Sequence, residues 1–315
     1  MGKIKISVVI PLYNKQDLIK KCLVSVANQT YLPDEIIVVN DGSTDCSLEI
    51  VTSFSKQHYN LPIKIINKIN QGVSSSRNYG ISSAVNPFVA LLDADDEWDE
   101  DYLSFMVQLI KDFPDASMYS SNHRIKDSDG NVFSPYTPLK KSYQGYINNY
   151  FNISIKTPLV NSSKVVLRKS VFLGEGGFPE EAVLSEDLYL WFKIASSHKV
   201  AHTNRILVTV NQFFDNSRMA RSFKNPYFIT YYSRNKKLFD SLTHDQKSYI
   251  FSVYFKHVIG SLKDGCLKEA CYRWSSGKKL FGFRSYFITP VFLIPMRIFS
   301  LARKLKRSYR SKFYV

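Results

Sequence analysis

The sequence predicts an α/β fold built on a mostly parallel sheet that helices flank. Short apolar runs typical of buried strands alternate with segments whose apolar residues recur at helical spacing. Small or acidic residues follow these runs, where turns are expected. The chain has 315 residues, 44% of them hydrophobic, which suffices for a full core and excludes a disordered or fibrous protein.

The first strand-helix unit begins with the continuous apolar run of residues 6–10, which is typical of a strand covered on both faces. Apolar residues then recur at helical spacing from Leu18 to Val26. The alternation continues with strands predicted at 35–39, 63–66 and 88–92 and helices at 45–57, 73–84 and 102–113. Such an order gives a parallel sheet with right-handed crossovers, in which ligands bind outside the carboxyl ends of the strands.

Three carboxylates, Asp93, Asp95 and Asp96, follow the fourth predicted strand within four residues. Like charges this close disfavour one another's ionisation unless a cation lies among them. Carboxylate oxygens suit a hard divalent ion, Mg²⁺ or Mn²⁺. A solvated acidic loop that caps the next helix fits the same residues.

Two further segments follow predicted strands. Residues 40–45 contain Asp41 and Gly42, and taken alone they are best explained as a turn with a helix cap. Residues 70–80 are rich in small side chains and open a helix, where Arg77 could pair with a diphosphate or simply lie on the surface. The sequence contains neither GxGxxG after the first strand nor GxxxxGK[ST], which excludes the dinucleotide and P-loop motifs.

Four segments, in this order and at this spacing, resemble the family 2 glycosyltransferases: residues 9–14, 39–45, 72–80 and 92–96. The resemblance covers about residues 5–215. It implies the GT-A fold, a Rossmann-like, mostly parallel sheet flanked by helices, in an inverting transferase. The implied organisation is a nucleotide-sugar-binding half at 1–122 and an acceptor-binding and catalytic half at 123–220. Beyond the shared motifs, aromatic residues in helical stretches predict a helical extension at 221–315 that ends in a basic amphipathic tail.

The resemblance also implies roles for single residues at the donor site. Pro11 and Tyr13 would border the nucleoside, and Asp41 would hydrogen-bond the base, usually uracil. Arg77 would lie near the base and the diphosphate.

By the same resemblance, Asp93 would lie against the ribose. Asp95, helped by Asp96, would bind the Mn²⁺ or Mg²⁺ ion that bridges the two phosphates. The implied cofactor is therefore a divalent metal.

The general base is expected after a predicted strand at 164–168 and a Gly-Gly-Phe segment at 176–178. The Glu186-Asp187 pair that follows resembles the family's Glu-Asp pair at a helix start. The resemblance implies that Asp187 removes the proton from the acceptor hydroxyl and that Glu186 supports it. Alternatively, Ser185 and the two acids only favour a helix N-terminus.

One feature departs from the family. Many relatives place a His in a strand segment after the base helix, but residues 208–218 contain none. Either Asn211, Gln212 or Arg218 takes over its contact with the metal or phosphates, or the contact is absent.

The net charge of +15 is unevenly placed, since residues 260–315 hold 13 Lys or Arg and 2 Asp or Glu. Four apolar residues there share one face of a predicted helix with basic residues beside them: Ile298, Leu301, Ala302 and Leu305. This pattern favours a helix in an anionic membrane interface, although a helix packed on the protein with a solvated basic side also fits. A nucleic-acid binder is disfavoured, because the body lacks the basic excess and its ligand edge is acidic.

The four cysteines form no CxxC and lie in no His-rich cluster, which predicts neither a zinc site nor a disulfide framework and favours a reducing compartment. The N-terminal residues do not resemble a signal peptide, and no run of about 18 apolar residues occurs. The absence of a Gln-x-x-Arg-Trp motif disfavours a processive synthase.

These observations together predict a peripheral enzyme at the cytoplasmic face of a bacterial inner membrane. It would transfer a hexose from a UDP-sugar to a hydroxyl of a glycan on undecaprenyl diphosphate, forming a β-glycoside of O-antigen, lipopolysaccharide or capsule. A catalytically inactive nucleotide-sugar-binding or membrane adaptor on the same fold is the alternative.

Overall fold

A computed structural model describes residues 2–212 and 223–293 of the chain. The chain forms two compact units. The first comprises Met1–Tyr150, Lys156–Glu180 and Leu190–Phe213, and the second comprises Phe151–Ile155, Glu181–Tyr189 and Phe214–Val315. The division into functional parts at 1–122, 123–220 and 221–315 stays a prediction.

The first unit is built on one sheet with helices. Its strands are β1 Ile6–Leu12, β2 Glu35–Asp41, β3 Ile63–Lys68, β4 Phe88–Leu91, β5 Glu97–Trp98, β6 Ala116–Asp127, β7 Val132–Phe133, β8 Gln144–Tyr146, β9 Val165–Arg168 and β10 Lys199–Gln212. Its helices are α1 Ile19–Ala27, α2 Ser47–Gln57, α3 Val73–Ser83, α4 Tyr102–Asp112 and α6 Lys169–Gly174. Helices α5 Tyr150–Lys156 and α7 Glu186–Ser197 each contain residues of both units.

The strand order is β3-β2-β1-β4-β9-β6-β10-β5, with β7 beside β6 and β8 beside β10. Strands β1 to β4 pair in parallel. Beyond β4 the sheet is mixed, because β9 runs antiparallel to both β4 and β6 while β10 runs parallel to β6. The predicted α/β fold is confirmed, and the parallel half is the part that the strand-helix alternation describes.

Helix α3 lies very close to the sheet at Gly80. A Cβ at this position would stand 2.5 Å from Val9 Cγ1 and 3.1 Å from Val39 Cγ2. Because only glycine permits this approach, Gly80 sets how closely α3 packs on β1 and β2. The approach holds the start of α3 at the carboxyl ends of those strands.

The second unit is helical in its described part. Its helices are α8 Tyr227–Arg234, α9 Lys236–Ser241, α10 His244–Lys263 and α11 Leu267–Phe281, followed by a 3₁₀ segment at Gly282–Leu293. A capping box of Thr243 and Gln246 starts α10. The buried residues of these helices are largely aromatic: Tyr227, Phe228, Tyr232, Phe239, Tyr249, Tyr254 and Phe281.

No helix in the described part of the chain is long and apolar enough to cross a membrane. The basic amphipathic segment around Ile298 to Leu305 lies outside the described residues, and so do residues 213–222.

Candidate functional site

The acidic loop after β4 contains one fully enclosed carboxyl group. Asp96 is 5% exposed, and it accepts hydrogen bonds from Ser163 Oγ at 2.5 Å and from the amide of Asn211 at 2.8 Å. Burial, with the charges of Asp95 and Asp93, raises the pKa of the Asp96 carboxyl well above its usual range. The geometry therefore suits Asp96 to anchoring this loop, and its metal-binding role stays a prediction.

Asn211 lies near the end of β10 and contacts this loop from the segment where the family resemblance implies a His. Its side-chain amide donates to the carbonyl of Asp95 at 2.7 Å and to Glu97 Oε1 at 3.2 Å. The Asn211 amide therefore holds the backbone that carries Asp95. Arg218, another candidate for the missing contact, lies outside the described residues.

Asp95 is partly exposed and pairs with a lysine from the neighbouring strand end. Its Oδ2 lies 2.8 Å from Lys15 Nζ. Lys15 comes from the loop after β1, where its amide donates to Ser47 Oγ at 2.8 Å. The Lys15 ammonium group therefore contacts the carboxylate that the family resemblance assigns to the metal. The sequence analysis did not predict this ion pair.

Arg77 reaches the same loop from α3. Its Nη2 donates to Asp93 Oδ1 at 2.7 Å, and its guanidinium carbon lies 5.3 Å from the centre of the Phe178 ring. Arg77 is only 5% exposed, so it holds a cation in a low-dielectric position at the end of β4. The contact of Arg77 with a diphosphate stays a prediction.

The next residue in α3, Asn78, holds the Gly-Gly-Phe segment. Its side-chain amide donates to the carbonyl of Phe178 at 2.8 Å, and its Oδ1 accepts from the amide of Phe178 at 2.9 Å. Gly177 has φ +71, and a Cβ there would stand 2.8 Å from Asn78 Oδ1. The Asn78 side chain thus joins helix α3 to the Gly-Gly-Phe segment, although the two are far apart in sequence.

Asp41 ends β2 and organises the loop that begins α3. Its carboxylate accepts from the amides of Gln71 at 2.9 Å and Gly72 at 2.8 Å, and it pairs with Lys68. Gly72 has φ +93, which favours glycine. Asp41 is 3% exposed, so the structure assigns it a local role in shaping this loop, whereas its contact with a base stays a prediction.

The loop after β1 is tied to the loop after β2. Asn14 Oδ1 accepts from the amide of Thr44 at 2.8 Å, while the Asn14 amide donates to Ser43 Oγ at 3.1 Å. Pro11 is buried within β1, and Tyr13 directly after the strand is 46% exposed. The exposed ring is available to a ligand at the sheet edge.

Asp95 is the carboxylate of the loop after β4 that could bind the implied divalent ion. Among residues that the structure describes, no three His, Cys, Asp or Glu side chains are grouped to hold an ion by themselves. Asp95 nevertheless offers a partly exposed hard oxygen ligand, and Mg²⁺ is commonly held by one or two carboxylates together with substrate phosphates. The residues fit an ion that takes most of its ligands from a bound diphosphate.

Glu186 and Asp187 form the first turn of α7 and belong to the second unit. Asp187 Oδ1 accepts from the amide of Leu188 at 2.7 Å. Ser185, directly before them, has φ +65 and contacts His257 through its hydroxyl at 3.0 Å. The roles of Asp187 and Glu186 in catalysis stay predictions.

The comparison with protein families decides the identity of this fold. The profile described as glycosyl transferase family 2 matches residues 7–173, which is more than half of the chain. The chain belongs to glycosyl transferase family 2. The resemblance inferred from four sequence motifs is therefore confirmed.

Individual relatives of this family 2 chain differ in length. Over 218 residues it is 30% identical to the glycosyltransferase GlyA of Streptococcus pneumoniae, covering 64% of this chain and 30% of that protein. Hyaluronan synthase of Pasteurella multocida is 27% identical over 276 residues, 82% of this chain and 27% of that protein. The chain thus spans less than a third of the length of each of these two curated relatives.

Two solved structures share the fold of this chain. Residues 1–349 of S. aureus TarS in complex with UDP-GlcNAc superpose with a TM-score of 0.70 at 20% identity, covering 98% of this chain and 92% of that one. A mannosyltransferase from Pyrobaculum calidifontis, in complex with GDP-Man and Mn²⁺, gives 0.59 at 17% identity, covering 98% and 83%. These likenesses confirm the GT-A fold prediction.

Proposed function

We propose that this family 2 protein transfers a hexose from a nucleotide diphosphate, with UDP as the nucleotide, to a hydroxyl group of a glycan. The observation that carries the proposal is the set of charged groups at the carboxyl ends of β1, β2 and β4. In the first unit, Lys15 pairs with Asp95 and Arg77 with Asp93, while Asp41 pairs with Lys68 at the end of β2. The UDP-GlcNAc complex of TarS supports the choice of donor.

The two cations suit the leaving group. A departing nucleoside diphosphate gains negative charge, and groups aimed at that charge in a partly buried site stabilise the transition state. Arg77 can form a fork with phosphate oxygens, whereas Lys15 offers a point charge. A Mn²⁺ or Mg²⁺ ion at Asp95 supplies Lewis-acid stabilisation of the same charge when bound.

Asp187 is proposed as the general base of an inverting reaction. A carboxylate that takes the proton from the acceptor hydroxyl makes that oxygen nucleophilic as it attacks the anomeric carbon. Attack from the face opposite the leaving diphosphate inverts the configuration, so an α-linked donor yields a β-glycoside. Glu186 is proposed to support the base from the same helical turn.

The proposed acceptor is a glycan on undecaprenyl diphosphate, made for O-antigen, lipopolysaccharide or capsule at the cytoplasmic face of a bacterial inner membrane. The excess of Lys and Arg in residues 260–315 supports attachment to an anionic lipid surface, because basic residues near such a surface each add about 1 kcal/mol. Peripheral attachment would place the enzyme beside a lipid-linked acceptor.

A transfer assay with and without Asp187 tests this function. The protein is incubated with a panel of UDP- and GDP-sugars, Mn²⁺ and lipid-linked glycan acceptors, and release of nucleoside diphosphate and glycan product is measured. We expect one donor to support transfer, and we expect Asp187→Asn to lower the rate by a factor of about 10² to 10⁴ while donor binding persists. Transfer by Asp187→Asn at the wild-type rate would contradict the base assignment, and donor binding with no transfer to any acceptor would favour the inactive adaptor.

A further inference from the structure

The segment that carries the proposed base begins with a strained residue. Ser185 has φ +65, a left-handed conformation that is unfavourable for a residue other than glycine. Such conformations persist only where surrounding contacts impose them, and they concentrate at functional sites. The left-handed conformation of Ser185 therefore depends on the residues that contact it.

A helix cap does not account for Ser185. A capping serine has extended backbone angles, and its hydroxyl accepts from an amide of the first turn. The Ser185 hydroxyl instead lies 3.0 Å from Nε2 of His257 in α10, and the amide of Leu188 donates to Asp187 Oδ1. Ser185 therefore lacks the conformation of a capping serine, whereas Glu186 and Asp187 stand in the first turn of α7, where the helix dipole favours acidic side chains.

The helices of the second unit hold this segment at three further points. The amide of Tyr227 donates to the carbonyl of Leu184 at 2.9 Å, and the Tyr227 hydroxyl donates to Glu181. The ring of Tyr189 packs edge-on against Tyr227, with ring centres 4.8 Å apart. Residues on both sides of Ser185 are therefore held by α8.

His257 is itself held in place. Its carbonyl accepts from Arg273 Nη1 at 3.3 Å, and Arg273 pairs with Glu269 at 2.6 Å along α11. Burial, with the charge of Arg273, lowers the pKa of His257 to about 4, so the imidazole is neutral near pH 7. A neutral ring fixed by its backbone offers Ser185 one stable hydrogen-bond partner.

We propose that His257 is a positioning residue for the general base: its contact with Ser185 holds the left-handed backbone that directs Glu186 and Asp187 at the start of α7. The inference rests on the proposed function, since it concerns the same base. It assigns part of the catalytic apparatus to α8 and α10, which lie beyond the 7–173 region that the family profile covers.

Two substitutions of His257 test the contact. His257→Leu removes the hydrogen bond, whereas His257→Gln retains an amide that can reach Ser185. His244→Leu is the matched control, because His244 is an exposed histidine at the start of the same helix. We expect His257→Leu to lower kcat about tenfold with the KM for the donor unchanged, and we expect His257→Gln and His244→Leu to stay near the wild-type values.

Ser185→Gly separates positioning from stability. Glycine removes the conformational cost at φ +65 together with the hydroxyl, so the two effects on stability oppose each other. We expect an unchanged or raised unfolding temperature together with a lowered kcat. If the contact is purely structural, Ser185→Gly keeps the wild-type kcat when it is as stable as the wild type. That result would overturn the proposal.

Hydrogen exchange gives a readout that does not depend on transfer. We expect His257→Leu to raise the exchange rates of the amides at residues 186–189 about tenfold over those of wild type and His244→Leu. Unchanged rates there would overturn the inference, whatever the activity. A wild-type protein that transfers no sugar, while these amides respond as expected, would contradict the proposed function alone.

Discussion

Asp93, Asp95 and Asp96 stand within four residues but have different partners. Asp93 pairs with Arg77, Asp95 pairs with Lys15, and Asp96 is enclosed by protein donors. Sequence reasoning identified the acidic loop and both strand-end motifs, because the residue types are tied to the chemistry. It did not separate the three carboxylates, because their separate partners come from α3, β1 and β10.

Substitution of Asp95 and Asp96 should have unequal effects on metal binding. We expect Asp95→Asn to weaken Mn²⁺ binding in the presence of UDP by tenfold or more, because it removes a carboxylate ligand. A tenfold loss corresponds to about 1.4 kcal/mol of binding free energy. Asp96→Asn keeps the shape of a carboxyl group that burial already favours in its neutral form, and it should keep most of the affinity. Mn²⁺ titration followed by electron paramagnetic resonance measures both, and an equal loss in the two variants would show that Asp96 is a ligand.

Lys15 should oppose metal binding in the absence of nucleotide. The Lys15 ammonium would repel a divalent ion at Asp95, and solvent screens this repulsion because both side chains are partly exposed. We expect Lys15→Met to tighten Mn²⁺ binding to the nucleotide-free protein about tenfold. The exposed Lys20→Met is the control for loss of charge, and equal or weaker binding by Lys15→Met would contradict the expectation.

At the scale of elements, the first four strands and their helices were predicted within a few residues. Their continuous apolar runs are buried in a parallel sheet, which is the situation that the pattern describes. The long strand β6 was not predicted at all, and β10 was expected only as a strand segment after the base helix. Strand β6 buries polar residues that bond across to β10, as Ser120 does with His202 and Asn122 with Asn204, and a polar sequence gives no strand signal.

Gly80→Ala should lower stability through the packing of α3. The added Cβ would meet Val9 Cγ1 at 2.5 Å, and overpacking of a close contact costs about 1–3 kcal/mol. Gly260→Ala in α10 is the matched control, because no atom lies within 4 Å of its Cβ and alanine favours a helix by about 0.5–1 kcal/mol. Urea unfolding measures both, and a Gly80→Ala variant as stable as the control would contradict the packing argument.

At the scale of the whole molecule, the second unit gathers residues 181–189 with the C-terminal helices. No local pattern predicts this grouping, since it depends on contacts between residues far apart in sequence. The sequence identified the Glu-Asp pair by its resemblance and the extension by its aromatic residues. The contact between them, through His257 and Tyr227, emerges only in the folded chain.

Acid should destabilise the folded protein between pH 6.5 and 5. Burial lowers the pKa of His123 to about 2, of His202 to about 3 and of His257 to about 4, so the unfolded chain binds these protons first and stability falls as pH falls. Asp96, with its raised pKa, opposes this by at most one proton. Lys164, with a pKa lowered to about 7, is only partly protonated in the folded protein at pH 7, so it acts in the same direction as the histidines in the first part of this acidification.

Urea unfolding at pH 7 and pH 5 measures this dependence. Each net proton taken up on unfolding lowers the free energy of unfolding by about 1.4 kcal/mol per pH unit. We expect a lower midpoint at pH 5. A midpoint that is equal or higher there would show that the three histidines are not buried in their neutral form.

Thermal unfolding with nucleotides tests the central claim most directly. A ligand that binds only the folded state raises its apparent stability, by about 2.7 kcal/mol at a concentration one hundred times its Kd. Wild type and Asp95→Asn are heated with a panel of nucleoside diphosphates and nucleotide sugars, with and without Mn²⁺. The account predicts that a UDP species stabilises the wild type only when Mn²⁺ is present, and that Asp95→Asn loses this response. A wild-type unfolding temperature that no nucleotide changes, with or without the metal, would contradict a nucleotide-sugar site at the ends of β1, β2 and β4.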